Sequence, residues 1–221
     1  SKEFFKTSQP SPQEFLDIFE KVKKKQETLI CLSLSSKLSG TYQSACLAKD
    51  MVDYENIFII DTLTAAAGIR LLCEVAINWI GENRCVEDIV SGLEELKERV
   101  HIYAGLDTLE YLAKGGRISK TAAAIGTLAS IKPIICVDHG EVVVAGKTRG
   151  VNKATSVVCE KMQSDIVDTL YPVYTLYSYG LENVEKLESK LDLDVNRVRI
   201  GSTIGVHIGP NAFGVCFVSK L

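Results

Sequence analysis

One stretch limits the choice of fold more than any other: an apolar run, a short polar turn and a helix-forming segment. The run occupies residues 29–34, the turn is rich in Ser and Gly, and the segment covers residues 40–51. This order predicts a strand, a loop and a helix, which leaves backbone N–H groups and hydroxyls at the carboxyl end of the strand. Such an edge can hold an anion or a carboxylate.

The same order of elements recurs through the first half of the chain. Residues 56–60 predict a second strand, and helices are predicted over residues 65–80 and 86–99. Strands that alternate with helices indicate a parallel α/β sheet, in which function gathers at the carboxyl ends of the strands. We therefore predict an α/β protein whose first domain, residues 1–100, contains a parallel sheet.

The pattern changes in the second half. Two apolar runs flank Asp138-His139-Gly140, which predicts a β-hairpin. Further strands and one helix are predicted at residues 173–177, 198–200 and 215–218, and at residues 181–191. We predict an α+β second domain over residues 101–221, with a mixed or antiparallel sheet.

Composition argues against several functions. The 221 residues carry a formal net charge of −3, whereas nucleic-acid binding favours a basic surface. No apolar run approaches the roughly 20 residues of a membrane span, and no secretory signal is visible. The 7 cysteines are scattered singly, which favours reduced, buried thiols of a cytoplasmic protein over disulfides or zinc. We predict neither a metal nor a cofactor.

Hydroxyls and glycines cluster in two turns, around Thr7-Ser8 and around Ser39-Gly40-Thr41. On spacing alone, turn and cap residues are the favoured interpretation, because Ser and Thr usually serve there. The functional interpretation is a small polar pocket for a carboxylate or a phosphate.

A histidine near the C-terminus, His207, lies between glycines and a Gly-Pro turn, on a backbone that we expect to follow a tight path. It is either a structural histidine or a donor that faces a ligand. With Ser39 as nucleophile and His207 as base, an acyl hydrolase or transferase is an alternative. Ser39 lacks the Gly-x-Ser-x-Gly elbow, and only Asp61 and Asp107 are candidates for orienting the histidine.

Two further patterns allow both structural and functional interpretations. Arg117 in Lys114-Gly115-Gly116-Arg117 and the later Arg149 are either solvated or form a docking surface for an acidic partner. The glycine segment lacks the full Walker pattern, so it is a weak nucleotide motif. Small residues at 65–68 and 122–126 indicate close helix packing or a slim tunnel for an extended apolar ligand.

Six segments in a fixed order along almost the whole chain carry a family resemblance. They are Thr7-Ser8-Gln9-Pro10-Ser11-Pro12 and residues 35–45, 107–112, 114–119, 131–134 and 205–210. Together they resemble the DegV family, which contains the fatty-acid-binding FakB subunits of bacterial fatty acid kinase. Six collinear motifs make this resemblance specific, although each motif alone is not.

The resemblance implies a carrier that is not an enzyme by itself, with a long-chain fatty acid between its two domains. In the family, a threonine, a serine and a histidine hold the carboxylate; here they correspond to Thr7, Ser39 and His207, with Gly40 beside Ser39. The resemblance also implies a cytoplasmic role in bacterial phospholipid metabolism and allows transient membrane contact. An ATP-dependent kinase subunit would phosphorylate the acyl carboxylate, and Arg117 and Arg149 would engage that partner.

Two expectations concern how complete and how charged this site is. We expect a carboxylate beside neutral hydroxyls, without a fixed arginine, to stay nucleophilic toward a phosphoryl donor.

Family members begin some tens of residues earlier, with a strand that ends in Asp-Ser, and this sequence opens at Ser1. The first domain is therefore expected to lack that segment. Another amphipathic acid remains an alternative ligand.

Overall fold

The computed structural model describes residues 4–118 and 131–220, and within these ranges the chain forms eight α-helices and eight strands in two sheets. The helices are α1 (Pro12–Lys25), α2 (Thr41–Val52), α3 (Ala67–Gly81), α4 (Val86–Leu96), α5 (Glu110–Gly115), α6 (Val151–Ser164), α7 (Glu182–Glu188) and α8 (Ser202–Ile208). The strands are β1 (Leu29–Ser33), β2 (Ile57–Asp61), β3 (Val100–Gly105), β4 (Ile131–Asp138), β5 (Glu141–Arg149), β6 (Tyr174–Tyr177), β7 (Asn196–Arg199) and β8 (Phe213–Val218).

The first sheet consists of β1 and β2, which run parallel with Leu29 opposite Ile57. Before it, α1 begins with a complete capping box, in which the Ser11 hydroxyl accepts from the N–H of Glu14 and the Glu14 carboxylate accepts from the N–H of Ser11. Helices α1 and α2 bury aliphatic and aromatic side chains, including Phe19, against one face of this sheet. The predicted parallel pair is confirmed.

The second sheet has six strands in the order β5-β4-β3-β8-β6-β7. Every neighbouring pair is antiparallel except β6 and β7, which run parallel. The predicted hairpin is confirmed, since β4 and β5 pair on either side of His139-Gly140. The sheet is therefore mixed, and its only parallel pair in the described residues lies at the β7 edge.

Helices cover both faces of the large sheet. Helices α3 and α4 pack on the face that carries Ile102 and Leu176, whereas α6 and α7 pack on the face that carries Phe213 and Phe217. Because α3 and α4 precede residue 100 and the sheet follows it, one hydrophobic core extends across the boundary that we predict between the domains. A hydrogen bond of 2.7 Å from the Ser35 hydroxyl to the Gly140 carbonyl also connects the two halves.

One prediction about the backbone is wrong. His207 does not lie on a tight turn but in the last turn of α8, a helix that the sequence pattern did not indicate. The tight path begins two residues later at Gly209, whose φ of 77° favours glycine. Helix α8 therefore sets the direction of the His207 imidazole, and the helix ends at Ile208, just before Gly209.

Two further predictions from composition concern the burial of the cysteines and the absence of a membrane span. All seven cysteines lie in the described residues and none is in a disulfide, but Cys85 is exposed, so not all of these thiols are buried as expected. Among residues 4–118 and 131–220, no helix is both long enough and apolar enough to cross a bilayer.

Candidate functional site

A cavity of about 400 Å³ lies between the loops of the small sheet and the α3-facing side of the large sheet. This volume is within the range of roughly 300–1,000 Å³ typical of small-molecule sites. The loops after β1 and β2, strands β3 to β6 and helix α8 all contribute to it. The carboxyl ends of parallel β1 and β2 thus open onto the cavity, as the strand order predicts.

The wall of the cavity is almost entirely aliphatic. Six different elements or loops contribute side chains to this wall. One residue from each is Leu38, Ala66, Ala104, Ile135, Leu176 and Ile204. Ala65 and Ala66 line the cavity, as the tunnel interpretation of the first small-residue segment predicts, whereas Ala67 is buried in the hydrophobic core, as close packing predicts. Residues 122–126 lie outside the described residues. Such a wall favours an apolar ligand by roughly 25 cal/mol for each Å² removed from water.

The polar side chains that border the cavity, which we call its polar end, include two contacting pairs. The Thr7 hydroxyl lies 2.7 Å from Nε2 of His207, although 200 residues separate them in the chain. The Ser39 hydroxyl lies 2.9 Å from the Thr41 hydroxyl, and all four side chains border the same space. The structure therefore brings together Thr7, Ser39 and His207, the three residues singled out for a carboxylate.

The surroundings of His207 favour its neutral form. Burial of the imidazole, assisted by the nearby positive charge of Arg117, lowers the pKa of His207 below its usual value. Its Nδ1 atom is buried and has no hydrogen-bond partner among the described residues. An anionic group that enters the cavity beside the ring would favour the protonated imidazole by its charge.

Two motif glycines create the space for this polar end. A Cβ atom on Gly115 would lie 2.3 Å from Nδ1 of His207, and a Cβ on Gly40 would lie 1.9 Å from Oε1 of Gln9. Gln9 in turn donates to the Ser44 hydroxyl, which fixes the segment that carries Thr7 on α2. Gly40 itself does not border the cavity; it allows the Thr7 segment to pack closely.

Arg117 borders the cavity as well. Its Nε donates to the Leu38 carbonyl at 3.0 Å, and Nη1 donates to the Gly115 carbonyl at 2.6 Å, so the guanidinium is fixed. In the described part of the chain, no carboxylate forms an ion pair with it. The expectation of a site without a fixed arginine is therefore wrong for the geometry around His207.

The remaining predicted residues lie elsewhere. Arg149 is exposed at the end of β5, opposite Ile131, and does not border the cavity. Asp61 accepts from the backbone N–H groups of Ser36 and Leu63, and Asp107 pairs with Lys132 and Asn211. Neither aspartate orients His207, and no carboxylate hydrogen-bonds to that ring in residues 4–118 and 131–220.

Sequence reasoning missed several residues of the site. Ile204 and Thr203 line the cavity from α8, and Gly115 makes room for His207. Arg117 was assigned only to a docking surface. The Lys-Gly-Gly-Arg motif was the available signal for Arg117 and Gly115, but nothing in the sequence pattern marked α8.

Comparisons with known proteins agree on one family. A family model described as "Uncharacterised protein, DegV family" matches residues 1–220. A DegV domain-containing protein of Clostridium acetobutylicum is 36% identical over 217 residues, which cover 97% of this chain and 78% of that protein. A DegV domain-containing protein of Caldanaerobacter subterraneus is also 36% identical, over 220 residues, and covers 97% and 79% of the two chains.

Solved structures have the same fold. A structure of a DegV lipid binding protein from Thermotoga maritima superposes with a TM-score of 0.87 at 28% identity, over 99% of this chain and 79% of that one. A DegV family protein from Thermus thermophilus, described by its fatty acid binding, gives 0.87 at 29% identity, over 97% and 79%. A stearic acid-binding protein from Eubacterium ventriosum gives 0.86 at 29% identity, over 99% and 80%.

Proposed function

Since the chain belongs to the DegV family, we propose that it binds a long-chain fatty acid. The acyl chain occupies the aliphatic cavity, and the carboxylate lies against Thr7, Ser39 and His207. The observation that carries this proposal is the lining of the cavity, which combines a largely aliphatic wall with the side chains of Thr7, Ser39 and His207. The fatty-acid and lipid binding described for similar structures at 28–29% identity supports it.

The polar end offers the hydrogen bonds that a buried carboxylate needs. A carboxylate removed from water requires two or three donors to offset its desolvation. Two hydroxyls, from Thr7 and Ser39, and an N–H of His207 are close to the same space, and Arg117 adds positive charge. A neutral head group such as an alcohol would gain less here, because it carries no charge for His207 and Arg117 to stabilise.

We further propose that the bound carboxylate is presented to an ATP-dependent fatty acid kinase subunit. A carboxylate oxygen attacks the terminal phosphorus of ATP, the bond to the bridging oxygen breaks, and ADP leaves with the formation of an acyl phosphate. The present chain supplies the positioned acid and acts as a carrier in the cytoplasm. Arg149 is exposed and Arg117 is partly exposed, so both guanidinium groups are suited to contact an acidic partner surface.

The hydrolase alternative has no contact in its favour. Ser39 interacts with the Thr41 hydroxyl, whereas His207 interacts with Thr7, so the required Ser39–His207 hydrogen bond is not formed. Carrier and hydrolase differ in one measurable way, since a hydrolase would release acid from acyl esters at a rate that Ser39→Ala abolishes.

Head-group recognition is tested by calorimetric titration of delipidated protein with palmitate and with hexadecanol, which has the same chain length. We expect palmitate to bind at least about tenfold more tightly, because charged hydrogen bonds contribute about 1.5–3 kcal/mol each. Thr7→Val should reduce that preference, and Thr28→Val, an exposed threonine outside the cavity, should not. Equal affinities for the two ligands would contradict a carboxylate site.

The partner step is tested by adding a bacterial fatty acid kinase subunit and labelled ATP to the palmitate-loaded protein. We expect label to appear in acyl phosphate only when both proteins are present. Arg149→Glu should lower that rate without changing the affinity for palmitate, because Arg149 does not border the cavity. Undiminished coupling in Arg149→Glu would remove this arginine from the interface.

A further inference from the structure

A second, smaller cavity adjoins the polar end of the first. It has a volume of about 200 Å³ and shares Thr7, Arg117 and His207 with the acyl cavity. Its other walls come from the segment that precedes Thr7 and from α5. An occupant of this space would therefore lie beside Thr7 and His207, two of the three side chains proposed for the acyl carboxylate, and beside Arg117.

Cationic and aromatic side chains together border this second cavity. Lys6, Lys114 and Arg117 border it, and no Asp or Glu does so among the described residues. Lys114 is partly offset by an ion pair of 2.5 Å with Glu110, which itself lies outside the cavity wall. Three cations with one offsetting carboxylate leave more positive charge than a single carboxylate of a fatty acid can balance.

Two of the three cations, Arg117 and Lys114, are held in place by contacts. Backbone carbonyls fix the guanidinium of Arg117, as described above. The Lys114 ammonium lies 3.5 Å from the centre of the Phe4 ring, and that ring packs on Tyr111 at a centroid distance of 5.7 Å. Because the Phe4 ring holds the Lys114 ammonium beside the cavity, an anion there meets two cations, Lys114 and Arg117, that are already in place.

From this geometry we propose that the second cavity binds a phosphoryl group next to the acyl carboxylate, with Lys6, Lys114, Arg117 and His207 as its ligands. A phosphate monoester carries a charge of about −1.5 to −2 and three acceptor oxygens, which fit several cations better than one carboxylate does. The inference rests on the proposed fatty-acid site, because that site places the acyl oxygen beside this cavity. The phosphoryl group that binds in the second cavity belongs either to an acyl phosphate or to free phosphate.

Hexadecylphosphonate, a stable phosphoryl-bearing ligand, tests this assignment against palmitate of the same chain length. Delipidated protein is titrated with each ligand. We expect the phosphonate to bind at least as tightly as palmitate. Lys6→Gln and Lys114→Gln should each weaken the phosphonate about fivefold to tenfold and palmitate less than about twofold, since one charged contact is lost.

Lys186→Gln is the matched control, because Lys186 forms an exposed helical ion pair with Glu182, four residues away, as Lys114 does with Glu110. It should change neither affinity. If the lysine variants weaken both ligands equally, or if palmitate binds more than about tenfold tighter than the phosphonate, the phosphoryl site is wrong while the fatty-acid site stands. If neither ligand binds the wild-type protein, both proposals fail.

Phosphorus NMR of palmitate-loaded protein with inorganic phosphate separates the two sources. A phosphate signal that broadens with wild type but not with Lys114→Gln would support the site and identify free phosphate as an occupant. An unchanged signal, together with tight binding of the phosphonate, would support the site and assign it to a phosphoryl group attached to the acyl chain.

Discussion

The two regions of the main cavity are built in different ways. Much of the wall uses aliphatic side chains from neighbouring strands of one hydrogen-bonded sheet, such as Ala104 on β3 and Ile135 on β4. The polar end joins chain segments that no regular structure connects, since Thr7 meets His207 across 200 residues and Arg117 meets Leu38 across 79. The wall therefore follows from the fold, whereas the polar end depends on a few specific contacts.

This difference predicts unequal tolerance to substitution. A wall made of many weak dispersion contacts loses little when one aliphatic residue replaces another of similar volume. The polar end loses a larger share of its function with each change, because few donors serve the ligand and each charged hydrogen bond contributes about 1.5–3 kcal/mol.

The largest effect is expected from His207→Ala. It removes a charged hydrogen bond to the carboxylate and leaves Thr7 without its partner at 2.7 Å. Palmitate affinity should fall about tenfold to hundredfold in a calorimetric titration, which corresponds to roughly 1.5–3 kcal/mol. The melting temperature controls for folding. An unchanged affinity in a folded variant would remove His207 from the site.

A smaller effect is expected when the wall is overfilled. Ile204→Trp adds volume to a lining position, so long-chain acids should bind about tenfold more weakly, at the low end of the cost of overpacking. Octanoate should be affected less, because it needs less of the cavity. Ile77→Trp, at an α3 residue that is 65% exposed and outside the cavity, is the control. Equal losses for both chain lengths would argue that the wall does not hold the acyl chain.

Gly115→Ala tests the position of the His207 ring without removing its hydrogen-bonding atoms. The new Cβ would lie 2.3 Å from Nδ1 of His207, so the ring must move and palmitate affinity should fall about fivefold. Gly205→Ala is the matched control on α8, the helix that also carries His207, because no atom lies within 4 Å of its Cβ position. If the two variants bind palmitate alike, the close packing of Gly115 does not position the histidine.

The smallest effect is a pH dependence that arises at the polar end. The pKa of His207 is lowered in the free protein, and a bound carboxylate raises it again. Binding then takes up a proton, so palmitate affinity should rise a few-fold as the pH falls from about 8 to 6. His207→Gln should flatten this slope. A wild-type affinity that is constant across this range would contradict the predicted coupling.

The sequence predicted the regular parts of the molecule well. The parallel pair β1–β2 and the β4–β5 hairpin follow from apolar runs and turn residues, which are local signals. Helix α8 was missed because it has only 7 residues, with Gly, Ser and Thr among them. Such a helix depends on tertiary packing, which no local pattern reports.

The candidate site was predicted only in part, for a related reason. The family resemblance grouped Thr7, Ser39 and His207, but spacing alone could not, since their contacts are long-range. The position of Arg117 at the cavity was not predicted, because its direction depends on Gly116, whose φ of 74° turns the chain back so that the Arg117 N–H bonds to the Leu112 carbonyl.

Native mass spectrometry of the protein purified from bacterial cells tests the central claim most directly, when bound lipid is then extracted under denaturing conditions and identified. We predict a stoichiometric mass shift that resolves into a long-chain monocarboxylic acid, and we predict that Ile204→Trp diminishes it. A protein that carries no lipid and also fails to take up added palmitate would contradict the account.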